Sequence, residues 1–201
     1  MSTNAIDTKT KIFFAALRLF ATDGYDKVSV RSLSDAVGIK VASLYNHYEH
    51  KDQILATCYD FYLRHRYQTR LTREQYEPIL IHGTQKKVMD SINYSFPEEI
   101  TLDMIYALLI IYSRIYTDPR AKEIYASEIS GAMAYLEEFF NVGIKVGRFH
   151  PFNISTVSLI IISTRLFSAQ SVTIAPEDKH QWRGAEHDFF NELVRIIPFK
   201  Y

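Results

Sequence analysis

The sequence has 201 residues, 47% of them apolar and 23% charged, which is ordinary for a folded globular protein. Its single cysteine excludes an intramolecular disulfide framework and fits a reducing compartment, so we expect a cytoplasmic protein. The net charge is zero, but residues 1–73 carry eleven Lys/Arg against seven Asp/Glu, and residues 74–201 carry twelve against sixteen. This asymmetry indicates that the N-terminal part alone meets phosphate.

Neither a secretion signal nor a membrane span is predicted. Residues 1–7 lack a basic region followed by an apolar core. The most apolar stretch, around residues 159–162, is interrupted by Arg165 and is typical of a buried helix. We therefore expect no membrane partner.

The first predicted element is a helix with one apolar face, which ends close to Gly24. That face consists of Ile12, Phe13, Ala16, Leu17 and Phe20. A short second helix follows, because Ser29 is a good N-cap and Leu33 and Val37 then fall on one face. Gly38 breaks this helix.

A third, short helix is predicted from the spacing of its apolar residues, which are Val41, Leu44, Tyr45 and Tyr48. A fourth, longer helix begins at Lys51 and is expected to run to about Arg70. Its apolar stripe includes Cys58, which is most simply a small core residue.

Five further helices are predicted over residues 74–94, 101–116, 119–146, 154–174 and 176–197. Pro119 and Pro176 occupy first-turn positions, and Gly147 closes the long central helix. The sequence contains neither an alternating strand pattern nor a glycine-rich phosphate loop. The predicted fold class is all-α.

The segment 29–48 has the pattern of a helix-turn-helix, two short helices joined by a tight turn that contains glycine. Leu33 and Val37 would pack inward, Ser34 is small where the helices approach, and Gly38 allows a positive φ. The side chains left exposed are one cation with small and hydrogen-bonding groups, which suits a surface facing the major groove. They are Lys40, Ala42, Ser43, Asn46 and His47.

The residues from Lys11 to Leu55, including FFAALRLFATDGYDKVSVRSLSDAVGIKVASLYNHYEHKDQIL, strongly resemble the N-terminal domain of the tetracycline-repressor (TetR) family. The rest of the chain matches only in the number and length of its helices. The resemblance implies a three-helix DNA-binding domain over residues 1–50 and a helical effector-binding and dimerisation domain over residues 51–201. The helix from residue 51 to about residue 70 would link the two.

Carried over by position, the resemblance implies a set of DNA contacts. Sequence discrimination would come mostly from Lys40, Ser43 and Asn46, because Lys can pair with guanine and Asn with adenine. Tyr45 and Lys51 would mainly hold phosphates. The full expected set is Ser29, Arg31, Lys40, Ala42, Ser43, Tyr45, Asn46, His47 and Lys51. His50 departs from the usual pattern, since Ser, Asn or Asp would cap the next helix better.

The last two long helices are the expected dimer element. One is apolar over most of its circumference and the other has a strong apolar stripe. The resemblance implies that they pair with their copies in a four-helix bundle, whereas the simpler alternative is a monomeric core. The expected interface residues are Leu159, Ile160, Leu166, Phe167, Phe189, Phe190, Leu193 and Ile197.

An effector pocket is expected between these ends, again on the resemblance. Its aromatic and polarizable lining would suit an apolar or aromatic small molecule. The expected lining residues are Tyr62, Met104, Tyr106, Ile110, Tyr125, Met133 and Phe139. Plain hydrophobic core is the alternative for each of them.

The sequence therefore predicts a ligand-responsive repressor that binds a palindromic operator as a homodimer. The alternatives are a helical enzyme, or an adaptor that retains the helix-turn-helix only as scaffold. We expect no enzyme activity and no cofactor, because the chain lacks a Ser/His/Asp signature and a nucleotide loop. We also expect no metal, since His47 and His50 have no third ligand close in sequence.

Overall fold

The structure is a computed structural model that describes residues 7–67, 70–92, 98–174, 192–193 and 195–200. Within these residues the elements are α-helices and one π-helical turn, Phe20–Gly24, which confirms the all-α class. The helices are α1 Thr8–Leu19, α2 Val30–Val37, α3 Val41–Tyr45, α4 Lys51–His65, α5 Arg73–His82, α6 Gln85–Ile92, α7 Glu98–Arg114, α8 Pro119–Lys145 and α9 Ile154–Ile174.

The chain forms two compact units. The first comprises residues 1–66 and 97–125, and the second comprises residues 67–96 and 126–201. In the first unit, α7 packs against α1, the π-helical turn and α4, so it belongs structurally with the N-terminal helices. A division of function at residue 50 stays a prediction.

The core of the first unit is built on the predicted apolar face of α1. Ile12, Ala16 and Leu17 are fully buried, and α1 continues into the π-helical turn, which ends at Gly24 with a φ of +88°. On α4, Cys58 is fully buried, and this burial raises the pKa of its thiol to about 12. The thiol is therefore a protonated core group, as the apolar stripe of α4 predicts.

The core of the second unit is rich in aromatic rings. Phe140 and Phe149 are fully buried with their ring centroids 5.7 Å apart, and Phe199 lies 5.0 Å from Phe149. Phe149 and Phe199 also form an antiparallel β-bridge, which fastens the end of the described chain to the turn after α8. Leu193 and Ile197, expected at the dimer interface, are buried in this core, and a role for them at an interface stays a prediction.

Two predicted helix boundaries are wrong. The helix expected over residues 74–94 is divided into α5 and α6, because Gly83 has an extended backbone and the Thr84 hydroxyl accepts from the Lys87 amide to start α6. The fourth helix ends at His65, five residues before Arg70. The helix predicted over residues 176–197 falls almost entirely outside the described residues.

Among the described helices, none taken singly has the length and apolar character to cross a membrane. The α7–α8 pair reaches that threshold only in combination, and it is bent by 119° at the break between its helices.

Candidate nucleic-acid interface

The first helix of the predicted helix-turn-helix has a well-formed start. The Ser29 hydroxyl accepts from the Ser32 amide at 3.0 Å, and the Ser32 hydroxyl accepts from the Ser29 amide at 3.0 Å, which forms a capping box. Leu33 and Ser34 are fully buried, and the Ser34 hydroxyl satisfies itself by donating to the Val30 carbonyl at 2.9 Å. These contacts define the start and the buried side of α2, the first helix of the motif.

The turn of the motif depends on Gly38, which has a φ of +73°. Its amide donates to the Asp35 carbonyl at 3.2 Å, and the Ile39 amide donates to the Ser34 carbonyl at 3.0 Å, so the exposed carbonyls at the end of α2 are used. Leu44, on α3, is fully buried. The predicted positive φ at Gly38 and the inward position of Leu44 are both confirmed.

The side chains around α3 divide by exposure only in part as the pattern predicts, because Val41 and Tyr45 of the predicted apolar set are exposed. Lys40 is the exposed N-cap residue of α3, and Ala42 and Asn46 are also exposed. Tyr45 is 49% exposed in spite of its size, while Leu44 beside it is fully buried. The same surface includes the exposed Ser29 and Arg31 and the half-buried Ser43 and His47. Their contacts with DNA stay predictions.

Lys51 has intramolecular partners. Its Nζ donates to the Tyr25 carbonyl at 2.8 Å and to the Val28 carbonyl at 2.9 Å, and it lies 4.0 Å from the centroid of the Tyr25 ring. The resemblance implied a phosphate contact for this cation, and that role stays a prediction. The structure adds a role that sequence reasoning missed, which is to join the start of α4 to the segment that leads into α2.

The start of α4 is better capped than the sequence predicts. The His50 Nδ1 accepts from the Gln53 amide at 3.2 Å, and the Gln53 Oε1 accepts from the Glu49 amide at 2.8 Å. The ring nitrogen of His50 thus caps α4 in place of a Ser, Asn or Asp oxygen.

The expected effector residues are divided between the two units. Five of them lie in the first unit, where Tyr62, Met104 and Ile110 are buried and Tyr106 and Tyr125 are half-buried. Met133 and Phe139 lie in the second unit, and Phe139 is fully buried there. A role in ligand binding stays a prediction for each of these seven residues.

The expected dimer residues on α9 are mostly exposed. Leu159 is 57% exposed, Ile160 37% and Phe167 58%, whereas Leu166 is half-buried against the core of the second unit. The predicted Phe189 and Phe190 lie outside the described residues. Where the chain is described, no group of three or more His, Cys, Asp or Glu residues comes close enough to hold a metal ion.

Comparison with known proteins agrees with this geometry. Residues 12–58 match the family described as bacterial regulatory proteins, tetR family. The biofilm operon icaADBC HTH-type negative transcriptional regulator IcaR of Staphylococcus epidermidis is 37% identical over 59 residues, which is 27% of this chain. The chain spans 32% of the length of that relative.

Solved structures extend the similarity of fold to nearly the whole chain. The ketosteroid transcriptional regulator KstR2 of Mycobacterium tuberculosis is 17% identical with a TM-score of 0.63, and 99% of each chain is covered. A TetR-family regulator of Cytophaga hutchinsonii is 16% identical with a TM-score of 0.64, and 96% of each chain is covered. A regulator of Saccharomonospora viridis in complex with choline is 15% identical with a TM-score of 0.57, over 96% of this chain and 98% of that one.

The described elements and the N-terminal motif define an all-helical protein with a helix-turn-helix. Its N-terminal quarter matches the tetR family of bacterial regulatory proteins, and over nearly its whole length the chain is similar in fold to regulators of that family.

Proposed function

We propose that this protein is a repressor that binds a palindromic operator as a homodimer and releases it when a small apolar or aromatic molecule binds. The observation that carries the proposal is α3, around which Lys40, Tyr45 and Asn46 are exposed while Leu44 is fully buried beside the capped α2. A helix in this setting can enter the major groove with few obstructing side chains. Such a protein would act in the cytoplasm, where DNA is accessible.

The decisive experiment is selection of duplexes by the purified protein from a random pool. We expect a palindrome whose half-sites are about one helical turn apart, because two identical α3 helices would read it. An enzyme or adaptor that keeps the motif as scaffold would enrich no sequence. Such a protein would also bind random duplex poorly at low salt, whereas a DNA-binding protein would show measurable affinity there from its phosphate contacts alone.

Asn46 is proposed as a base-reading residue. Replacing it with alanine should cost about 1–3 kcal/mol of binding at one operator position and little elsewhere, because the amide would lose a bidentate pair with a single base. Binding of wild-type and Asn46→Ala protein to all single-base operator variants measures this. Asn141→Ala, the same change at an exposed position on α8, is the matched control. An equal loss on every duplex would remove Asn46 from the base-reading set.

The second copy of the chain is proposed to cover α9. Leu159 and Ile160 form an exposed apolar pair, and Ser155, Ser163 and Phe167 continue the exposed face at helical spacing from Leu159. Contiguous exposed apolar side chains of this kind mark protein interfaces in otherwise soluble domains. The partner proposed for this face is an identical α9.

Leu159→Asp should convert the dimer to a monomer, because it would place two carboxylates in a desolvated apolar interface. Mass measurement by light scattering reports the assembly, and operator affinity should fall with it because the second half-site is no longer held. Ile81→Asp on α5, at a side chain that is 49% exposed, supplies a matched control. An Leu159→Asp protein that stays dimeric would place the interface elsewhere.

The effector is proposed to be an apolar or aromatic small molecule. Support comes from the aromatic side chains of the first unit, where Tyr112 and Tyr125 stack edge-to-face at 5.6 Å beside the half-buried face of α7. Loss of operator binding on addition of such a molecule, with saturation near one molecule per chain, would support this part of the proposal. To move the bound population from 99:1 to 1:99, the molecule needs about 5.5 kcal/mol of differential affinity.

A further inference from the structure

Tyr25 lies between two cations that come from different helices of the first unit. Lys51 Nζ, at the start of α4, is 4.0 Å from the ring centroid, and Arg114 Cζ, at the end of α7, is 4.5 Å from it. The Tyr25 hydroxyl donates to the Asp52 carboxylate. We name Tyr25, Lys51, Asp52 and Arg114, together with Asp26, the Tyr25 cluster.

The backbone around Tyr25 leads directly into the helix-turn-helix. Tyr25 directly follows the π-helical turn. The amides of Lys27 and Val28 donate to the Gly24 carbonyl at 3.2 and 3.3 Å. Lys51 holds the carbonyls of Tyr25 and Val28, and Ser29 immediately afterwards caps α2. Any movement of Tyr25 is therefore passed to the start of α2 and to the start of α4.

Arg114 reaches this segment from a distant part of the sequence. Its guanidinium contacts the Asp26 carboxylate at 3.3 Å, across 88 positions of the chain, and its side chain is only 14% exposed. Burial and the Asp52 carboxylate raise the pKa of the Tyr25 hydroxyl, so the phenol stays protonated as a donor, while Arg114 acts in the opposite direction. The contact of Arg114 with the ring face is largely shielded from water, and cation–π attraction is strongest when the cation is desolvated.

The corner between α7 and α8, residues 114–120, is held at a second point by α4. The Tyr59 hydroxyl donates to the Asp118 carboxylate at 2.9 Å, and the other oxygen of Asp118 caps α8 by accepting from the Arg120 amide at 2.9 Å. Arg120 itself pairs with the half-exposed Asp60. The α7–α8 corner thus contacts α4 through Asp118 and Arg120, and it contacts the segment before α2 through Arg114.

We infer that Arg114 is a positioning residue for the helix-turn-helix, through which the end of α7 sets the placement of α2 and of the start of α4 without touching DNA. The inference rests on the proposed function for its consequence, which is DNA affinity. Its structural part, the hold of Arg114 on residues 25–28, stands on the Tyr25 cluster alone. By linkage, DNA that holds the helix-turn-helix must stabilise the end of α7 in turn.

Arg114→Gln tests the structural part in the protein without DNA. The Lys27 and Val28 amides report on the segment before α2, and we expect them to exchange with solvent about tenfold faster, since the cation that holds the ring is gone. Arg120→Gln is the matched control, because it removes the other Arg–Asp pair of the same corner and leaves the Tyr25 cluster intact. Arg114→Lys keeps the cation and should restore most of the protection even if the Gln variant is poorly folded.

The functional part is tested with a duplex selected from the random pool. DNA should slow amide exchange at Thr117 and Asp118, which donate to the Arg114 carbonyl, in wild-type and Arg120→Gln protein but not in Arg114→Gln. Arg114→Gln should also weaken binding to all duplexes by about the same factor, without changing base preference.

The inference would be overturned if the Lys27 and Val28 amides of the Arg114→Gln protein exchanged at the wild-type rate. It would also be overturned if Arg120→Gln accelerated their exchange by the same factor as Arg114→Gln. If wild-type protein selects no duplex at all, the proposed function fails while the DNA-free exchange still decides the role of Arg114. If DNA binds but leaves Thr117 and Asp118 unprotected, the link from α7 to the helix-turn-helix is rejected and the proposed function stands.

Discussion

Replacing Gly143 with alanine is expected to lower the free energy of unfolding by about 3 kcal/mol, although alanine is the better helix former. A Cβ at this position of α8 would lie 2.3 Å from Cε2 and 2.4 Å from Cδ2 of Phe149. The Phe149 ring has no room to retreat, because it is fully buried among Phe140, Phe152 and Phe199. Urea denaturation of both proteins gives the difference directly.

Gly131→Ala on the same helix is the matched control. Its Cβ would meet the Tyr67 hydroxyl at 3.1 Å, but that atom is the end of a side chain that is 42% exposed and can move by a few tenths of an ångström. The gain in helix propensity, about 1 kcal/mol, should then leave this variant at least as stable as the wild type. Equal stabilities for the two variants would mean that the Phe149 ring is free to shift.

The helix-turn-helix was predictable because its determinants are local. The capping residue Ser29, the buried Leu33 and Leu44 and the left-handed Gly38 all act within a stretch of sixteen residues, and periodicity reports such contacts well. The break between α5 and α6 also had a local signal in Gly83 and Thr84. The helical pattern on both sides obscured it.

Other features depend on contacts between distant residues, which periodicity does not reveal. An apolar stripe predicts burial but not the identity of the covering surface, so the pattern does not reveal that Leu193 and Ile197 are buried within their own unit. The same reasoning failed to find the Tyr25 cluster, whose members lie on three separate elements. Arg114 carries no sequence signal that distinguishes it from a surface cation.

Lys51→Met should lower the free energy of unfolding by about 3 kcal/mol, the effect of losing charge-assisted hydrogen bonds together with a partly buried cation–π contact. The change retains the length of the side chain but leaves the Tyr25 and Val28 carbonyls without the donor that Nζ provides. Lys27→Met removes the same charge from an exposed position in the adjoining segment and should alter stability by less than about 0.5 kcal/mol. Chemical denaturation of the two variants measures the difference.

Operator binding by the same pair separates two roles of Lys51. If Nζ mainly holds the Tyr25 and Val28 carbonyls, Lys51→Met will weaken binding to every duplex while the slope of log affinity against log salt stays unchanged, because no phosphate contact is lost. If Nζ mainly binds a phosphate, as the family resemblance implies, the slope will fall by about one and the loss of stability will be small. We expect the first result, since two of the three ammonium protons already have carbonyl partners.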